Sequence, residues 1–517
     1  MKRNLLFIIA LFVCALSFGQ GEIDAYRYSS YDLSGTARGQ AMGGAFGALG
    51  GDVTGVAINP AGIGVYRSSE ILANMSLTSP SLGGATNLES NTKVAFDNLS
   101  YVSYYPLVKG GMLSLNFGFN YNRIKSFDQR YSASTKEMNS SLTDYMVHLT
   151  NGIRHSTWTN NDLYYYSDVP WLSILAYDGY LINGKYGTND QYESILNENE
   201  HVSPSLKVSE RGRIESYDFT IGSNILNKFY WGATVSITDI SYVMNASYDE
   251  NFLGVEGSGF SLNNYLETKG SGFQLKTGVI FKPTDALRLG LSYHSPVWYT
   301  MTDYFHAGLT PRGIDAYDDN GNYIGSADYT ETPNDAYVNY RFRTPGSWTF
   351  SVAAVLGTQA ILSLDYENKN YAAMNLKDKD GYDWKDVNDI MSKSYKNTST
   401  VRAGFEYRFS SRFSGRLGYA WVQNPFRSDI ESTGEVVVTA GTIPHYTLTG
   451  DVNYLTTGIG FKFTPQFYGD FALVHRTQKD DLYYFTPVES VGINPDSFAG
   501  TFTNKTLRAL VTLGYKF

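Results

Sequence analysis

The chain has 517 residues, 42% of them hydrophobic and only 18% charged, with 50 Gly, 42 Tyr and 29 Phe. This fits neither a disordered segment nor an ordinary soluble α/β enzyme. A formal net charge of −9 argues against a nucleic-acid partner. A mean hydropathy of −0.27, without a second apolar run of about 18 residues, excludes a helical membrane bundle, so any bilayer crossing must use strands.

In chain order, residues 1–19 read as a secretory signal peptide: Lys2 and Arg3 precede the apolar run Leu5 to Leu16, and the small Gly19 marks cleavage before Gln20. The single cysteine, Cys14, falls inside it, so the expected exported chain has no disulfide and depends on burial and backbone pairing. Residues 20–69 are rich in Gly and Ala and too long for a tail, and are expected to form a compact plug. From residue 70 to 517 apolar and polar residues alternate in segments of about ten, the weak signature of transmembrane strands. Leu113, Leu115, Phe117, Phe119 and Tyr121 alternate with Ser114, Asn116, Gly118, Asn120 and Asn122, giving one lipid face and one lumen face.

Such segments fall at 71–78, 99–106, 111–123, 214–224, 229–241, 271–282, 286–297, 346–356, 359–370, 399–410, 412–423, 453–464, 466–477 and 506–517, about fourteen strands. Their connections alternate long and short. The long ones at about 124–213, 242–270, 298–345, 371–398, 424–452 and 478–505 are expected outside the cell. The short ones carry turn residues, such as Pro283-Thr284-Asp285 and Gly357-Thr358. The fold expected is therefore all-β: a transmembrane antiparallel barrel of about 14 strands with an N-terminal hatch in its lumen. The chain ends on an alternating strand closing at Phe517, which looks like the signal read by the outer-membrane barrel assembly machinery.

Chemistry-bearing motifs are sparse. Asp318-Asp319-Asn320-Gly321 and Asp378-Lys379-Asp380-Gly381 lack the EF-hand spacing and read more simply as turns. Neither a histidine pair with ligand spacing, nor a nucleophile elbow, nor a phosphate loop is present, so no metal, cofactor or catalytic residue is expected. The inward-phase charges Arg288, Arg402, Glu406, Arg416, Lys462 and Arg508 could form a selectivity ladder or pair to fill the lumen. In the longest insertion, Tyr164-Tyr165-Tyr166 and Trp171 to Leu175 read either as a ligand-capturing surface or as a lid with its own core.

Ser34-Gly35-Thr36-Ala37-Arg38-Gly39-Gln40-Ala41-Met42-Gly43-Gly44-Ala45-Phe46, with Asp52 and Asn59-Pro60-Ala61-Gly62, resembles the hatch of the FadL/TodX family of outer-membrane transporters for hydrophobic compounds. The phrases at 283–296 (PTDALRLGLSYHSP), 361–366 (ILSLDY), 401–407 (VRAGFEY), 416–425 (RLGYAWVQNP) and 455–463 (LTTGIGFKF) look like that family's strands in order. The resemblance implies a monomer in the outer membrane of a Gram-negative bacterium, passively taking up hydrophobic small molecules such as long-chain fatty acids. In it, a ligand caught by outside loops leaves sideways into membrane lipids after the hatch shifts. Carried over, Asn59, Pro60 and Ala61 take the hatch-motif positions, and Gly118 is the candidate kink of an irregular third strand. Tyr265, Trp298, Tyr299 and Phe305 are candidate capture residues, each also readable as an aromatic at the membrane boundary. Two other readings remain: a surface adhesin or structural barrel acting through its long loops, and a polar-solute porin.

Overall fold

The computed structural model describes residues 21–84, 92–107, 110–159, 163–166, 169–197, 200–317, 323–427, 437, 439–488 and 496–517. The expected signal peptide with Cys14, and the Asp318-Asp319-Asn320-Gly321 turn, lie outside these residues.

Fourteen antiparallel strands form the barrel: β1 (Glu70–Gly84), β2 (Lys93–Pro106), β3 (Met112–Ser126), β4 (Val202–Ile225), β5 (Phe229–Phe252), β6 (Gly259–Phe281), β7 (Leu287–His294), β8 (Ser347–Leu356), β9 (Ala360–Asn370), β10 (Asn397–Arg408), β11 (Phe413–Val422), β12 (Tyr446–Lys462), β13 (Phe467–Tyr483) and β14 (Phe498–Lys516). Each pairs with its chain neighbours, and β1 closes on β14 from Glu70↔Lys516 to Gly84↔Phe502. Alternation places polar side chains inside and apolar ones on lipid. On β5 Thr234, Ser236 and Thr238 are buried while Val235 and Ile237 are 40% and 45% exposed, the inverse of a soluble sheet.

The lipid-facing belt ends at the row Tyr217, Ile237, Phe273 and Trp298; the next row is Glu215, Asp239, Ser271 and Thr300. Much of what the sequence reading assigned to loops at 124–213, 242–270 and 298–345 is instead wall. β4 and β5 each run 24 residues and β6 runs 23, well past the belt. Gln129–Ser134 pairs with outer β4, Trp298–Arg312 with outer β6, and Tyr337–Arg343 with Trp298–Arg312. The reason is a reversal of phase. Above the belt the outward side chains turn polar and the inward ones apolar, so a search for lipid-facing alternation stops at the boundary.

Those inward residues, among them Leu206, Val208, Met244, Phe260 and Leu262, join one large outer core. Trp171, Leu172, Ile174 and Leu175 of the helix Trp171–Asp178 are buried in it, so these insertion side chains act as core rather than as a free surface. The outer strands bend at Ser295-Pro296 and Thr344-Pro345, where proline supplies no donor. Hydroxyls stand in nearby: Leu275 N donates to Ser295 Oγ (3.0 Å) and Val297 N to Thr344 Oγ1 (2.9 Å).

Candidate functional site: hatch, lumen cavity and wall window

Three short helices thread the lumen: α1 (Glu22–Ser29), α2 (Ala37–Ala41) and α3 (Val53–Ile58), followed by a 3-10 turn at Pro60–Val65. Local capping explains the segment. Thr36 caps α2 by accepting from Gly39 N, Asp52 caps α3 by accepting from Thr54 N, and Thr36 Oγ1 donates to Asp52 Oδ1 at 2.9 Å, tying the two helix starts together. Gly43 and Gly44 adopt φ of 64° and 75°, a turn that L side chains resist. Just beyond it the Phe46 and Gly47 amides converge on Asp365 Oδ2 at 3.0 and 2.9 Å.

Asn59 is the hatch's junction with the wall. Its amide donates to Gly47 O (2.8 Å) and to Val279 O of β6 (3.1 Å), while its Oδ1 accepts from Ala61 N (3.1 Å), capping the turn that Pro60 opens. The wall meets it with glycines. A Cβ on Gly278 would lie 2.1 Å from Asn59 Oδ1, one on Gly232 2.2 Å from Pro60 O, and one on Gly418 2.1 Å from Gly43 N. The hatch backbone therefore sits directly against the barrel.

Gly118 does not kink its strand. The ladders run unbroken through it, Val102↔Gly118 on one side and Gly118↔Thr220 on the other. Its missing side chain makes room for Ile63 of the hatch, whose Cδ1 would lie 2.7 Å from a Cβ there. The irregularities of β3 lie at its two ends, where its register with β4 shifts between Met112 and Ser114 and, higher, between Arg123 and Lys125. Asp32 N of the hatch donates to Ile124 O (2.9 Å), and Lys125 Nζ donates to Arg27 O (2.7 Å) and Ser30 Oγ (2.5 Å).

At the same height β2 and β3 part. Their ladder ends at Asn98↔Asn122; above it Lys93 to Phe96 pair only with β1, and Arg123 to Ser126 only with β4. Higher still the wall closes again, as Tyr131 stacks on Phe502 with centroids 5.7 Å apart. The result is a window in the wall, crossed by two ion pairs, Arg123 to Asp97 and Lys93 to Asp128, each at 2.6 Å.

The window borders a cavity of about 490 Å³ above the hatch. Ten of its lining residues are Lys or Arg and six are Asp or Glu, a cationic excess inside an acidic chain. Arg402 pairs with Glu367 (2.5 Å) but leaves Nη1 without a partner. Arg508 donates to Leu33 O and Gln40 Oε1, and its Nε and the Nε of Arg476 are likewise unpartnered. Ile23, Tyr26, Tyr131, Tyr371 and Phe502 supply apolar and aromatic lining.

The inward charges thus form no single ladder. Glu406 joins Arg416 (2.7 Å) to Arg38 of the hatch (2.9 Å), Arg416 also meets Asp470 (2.5 Å), Arg288 donates to Leu49 O of the hatch (2.5 Å), and Lys462 is exposed.

Nor do the four capture candidates share a site. Trp298 is exposed at the belt edge against Phe273, whereas its neighbour Tyr299 is buried on the inner side against Phe342; adjacent strand residues must face opposite ways. Phe305 is buried in the outer core on Trp171, and Tyr265 points outward beside Tyr304. Among the described residues no cluster of three or more His, Cys, Asp or Glu has metal-holding geometry. Asp378 Oδ1 accepts from the Asp380, Gly381 and Tyr382 amides, which makes that acidic stretch a turn. The residues sequence reasoning missed are Asp365, Asp97 and Arg123. The inward phase of Asp365 was readable, whereas the divergence of β2 from β3 has no local signal.

No protein-family model and no curated protein matches the chain. Among solved structures it is similar to a FadL homologue of Pseudomonas aeruginosa, with a TM-score of 0.53 and 13% identity over 94% of this chain and 99% of that one. It is also similar to a deltaS2 mutant of the TodX monoaromatic hydrocarbon channel, with a TM-score of 0.50 and 12% identity over 93% and 98%. A closed fourteen-strand barrel with a helical hatch in its lumen, aligned end to end with these structures, is the FadL-type fold, as the hatch motif implied.

Proposed function

We propose that this protein is a monomeric outer-membrane channel for passive uptake of hydrophobic small molecules, and that its ligand is an amphipathic anion of the long-chain fatty-acid type. The observation that carries the anionic part is the cavity, whose lining includes Arg402, Arg476 and Arg508, each with a buried unpartnered side-chain nitrogen, together with aromatic walls. A carboxylate head satisfies such donors with charge-assisted bonds, while the tail gains about 25 cal/mol per Å² on leaving water. No energy source is needed, because the tail is favoured again on entering lipid.

Exit through the window between β2 and β3 is supported by its place beside both the cavity and the exposed apolar Val94 and Phe96. The hatch segment Arg27 to Asp32 holds one edge of that window through Ile124 and Lys125, so a shift of the hatch loosens the exit. The porin reading is disfavoured by the hatch backbone packed on wall glycines. Export, insertion through the Phe517 end and residence in a Gram-negative outer membrane belong to the same proposal.

The test is liposome uptake by purified protein of a fluorescent fatty acid and of the matching neutral alcohol, alongside small-ion conductance. Arg476→Gln with Arg508→Gln is expected to slow the acid roughly tenfold relative to the alcohol, the loss of about one charged hydrogen bond. Equal slowing of both, or ion conductance in the unmodified chain, would reject the reading.

A further inference from the structure

Above the lipid belt, the outer face of β4 to β6 is a regular polar array that the transport reading leaves without a role. Its rows follow the registers: Glu215, Asp239 and Ser271 nearest the belt, then Arg213, Ser241 and Lys269, then Arg211, Val243 and Glu267. Farther out come Ser209, Asn245 and Tyr265, then Lys207, Ser247 and Asn263. The two outer rows floor an open groove of about 760 Å³, walled by His306 and Tyr329 and lined by Lys207 and Arg130 with no carboxylate. Among the acids around it, Glu267 accepts from Tyr265 OH (3.1 Å), Glu331 accepts from Tyr329 OH (2.8 Å), and Asp249 stands one row farther out opposite Ser261. Arg213 pairs with Glu215 (2.8 Å) and Lys269 with Glu267, but among the described residues neither Lys207 nor Arg211 has an ion-pair partner.

We propose that this face binds a phosphorylated glycolipid of the surrounding leaflet. Its acyl chains lie on Phe219, Val235, Ile237 and Phe273. Its phosphates sit on the Arg211, Arg213 and Lys269 band, and its sugars occupy the groove. Three observations converge on that occupant. The cations begin two rows above the last lipid-facing residues, the height of a headgroup phosphate. From Ile237 to Asn245 the strand climbs eight residues, about 26 Å of path, which suits a short oligosaccharide. Side-chain amides and hydroxyls spaced about 5 Å apart across strands, flanked by tyrosine faces, are what a sugar ring with several hydroxyls can engage. The proposal rests on the membrane reading above and is independent of what the lumen carries.

The experiment uses the full chain purified in detergent, titrated with bisphosphorylated core lipopolysaccharide, with the same glycolipid after phosphatase treatment, and with the free core oligosaccharide, bound fractions being read by native mass spectrometry. Arg211→Glu with Arg213→Glu is expected to weaken binding of the phosphorylated glycolipid at least tenfold and to leave the phosphate-free form unchanged. Asn245→Ala with Asn263→Ala should weaken both, and Lys385→Glu, away from this face, neither. Fatty-acid uptake in liposomes without glycolipid should stay at the unmodified level in every variant. Unchanged binding in the Arg211 and Arg213 variant, or equal binding of phosphorylated and phosphate-free glycolipid, would overturn the proposal. Free oligosaccharide binding as tightly as the lipid would point to a soluble glycan and overturn it as well.

Discussion

Replacing Asn59 by Ala tests whether the hatch is a seated plug. The substitution removes two donors, to Gly47 O and Val279 O, and the acceptor that caps Pro60–Val65. At about 1 kcal/mol per bond the loss is ~3 kcal/mol, of which the Val279 bond joins the hatch to β6 and the other two shape the hatch's own turn. The barrel ladder stays intact, so the ~1 kcal/mol lost at the wall raises the population of unseated hatch about fivefold. Hydrogen exchange of amides from Gly55 to Val65 reads that population directly, and small-ion conductance reads its consequence for the lumen. Asn59→Asp is the informative companion. It keeps the capping acceptor but turns a carboxylate oxygen toward two carbonyls, and is expected to unseat the hatch more than Ala does. Exchange within twofold of the unmodified chain in both variants would refute the idea that Asn59 holds the hatch to the wall.

Gly232→Val places a side chain against Pro60, where even a Cβ would be 2.2 Å from its carbonyl oxygen, and should cost 1–3 kcal/mol or more of seating; conductance should rise relative to Gly111→Ala in an open turn. For the window, a double-mutant cycle on Asp97 and Arg123, both largely shielded from solvent, should return a coupling of about 1–3 kcal/mol in the exchange of outer β2 amides, and zero coupling would remove the pair as a latch. Burial pushes Glu250 up to about 7 from an ordinary 4.5 although it accepts from Ser141 Oγ, Leu142 N and Tyr248 OH. Because the folded state then holds the proton more tightly, its contribution to the outer core is greatest below about pH 4.5 and fades as pH rises toward 7, by ~3 kcal/mol. Exchange of Leu142–Thr150 amides across that range should show the slope and Glu250→Gln should lose it; a flat profile in the unmodified chain would contradict it.

The alternation of β5 shows why the strand count was legible. Lipid outside and a wet, plugged lumen inside impose a two-residue period on every strand, and Val235, Thr234 and their neighbours record it without reference to anything distant. Asn59-Pro60 was legible for a similar reason, since a cap and a fixed φ are local devices. Placing Gly118 as a kink failed because a glycine marks either a bend or a close approach, and only the position of Ile63 distinguishes them.

What the sequence determined by itself is the barrel, its inner and outer faces, the hatch and its turns, all set by periodicity and by side chains acting within a few residues. The tertiary structure alone decided where β2 and β3 part, that the wall rises past the belt around an apolar core, and that cations collect in the lumen. Each of these depends on residues far apart in the chain, such as Asp32 with Ile124, or Arg402 with Arg476 and Arg508. No local pattern encodes such a meeting, because it arises only when closure of the sheet brings the strands round to one cavity.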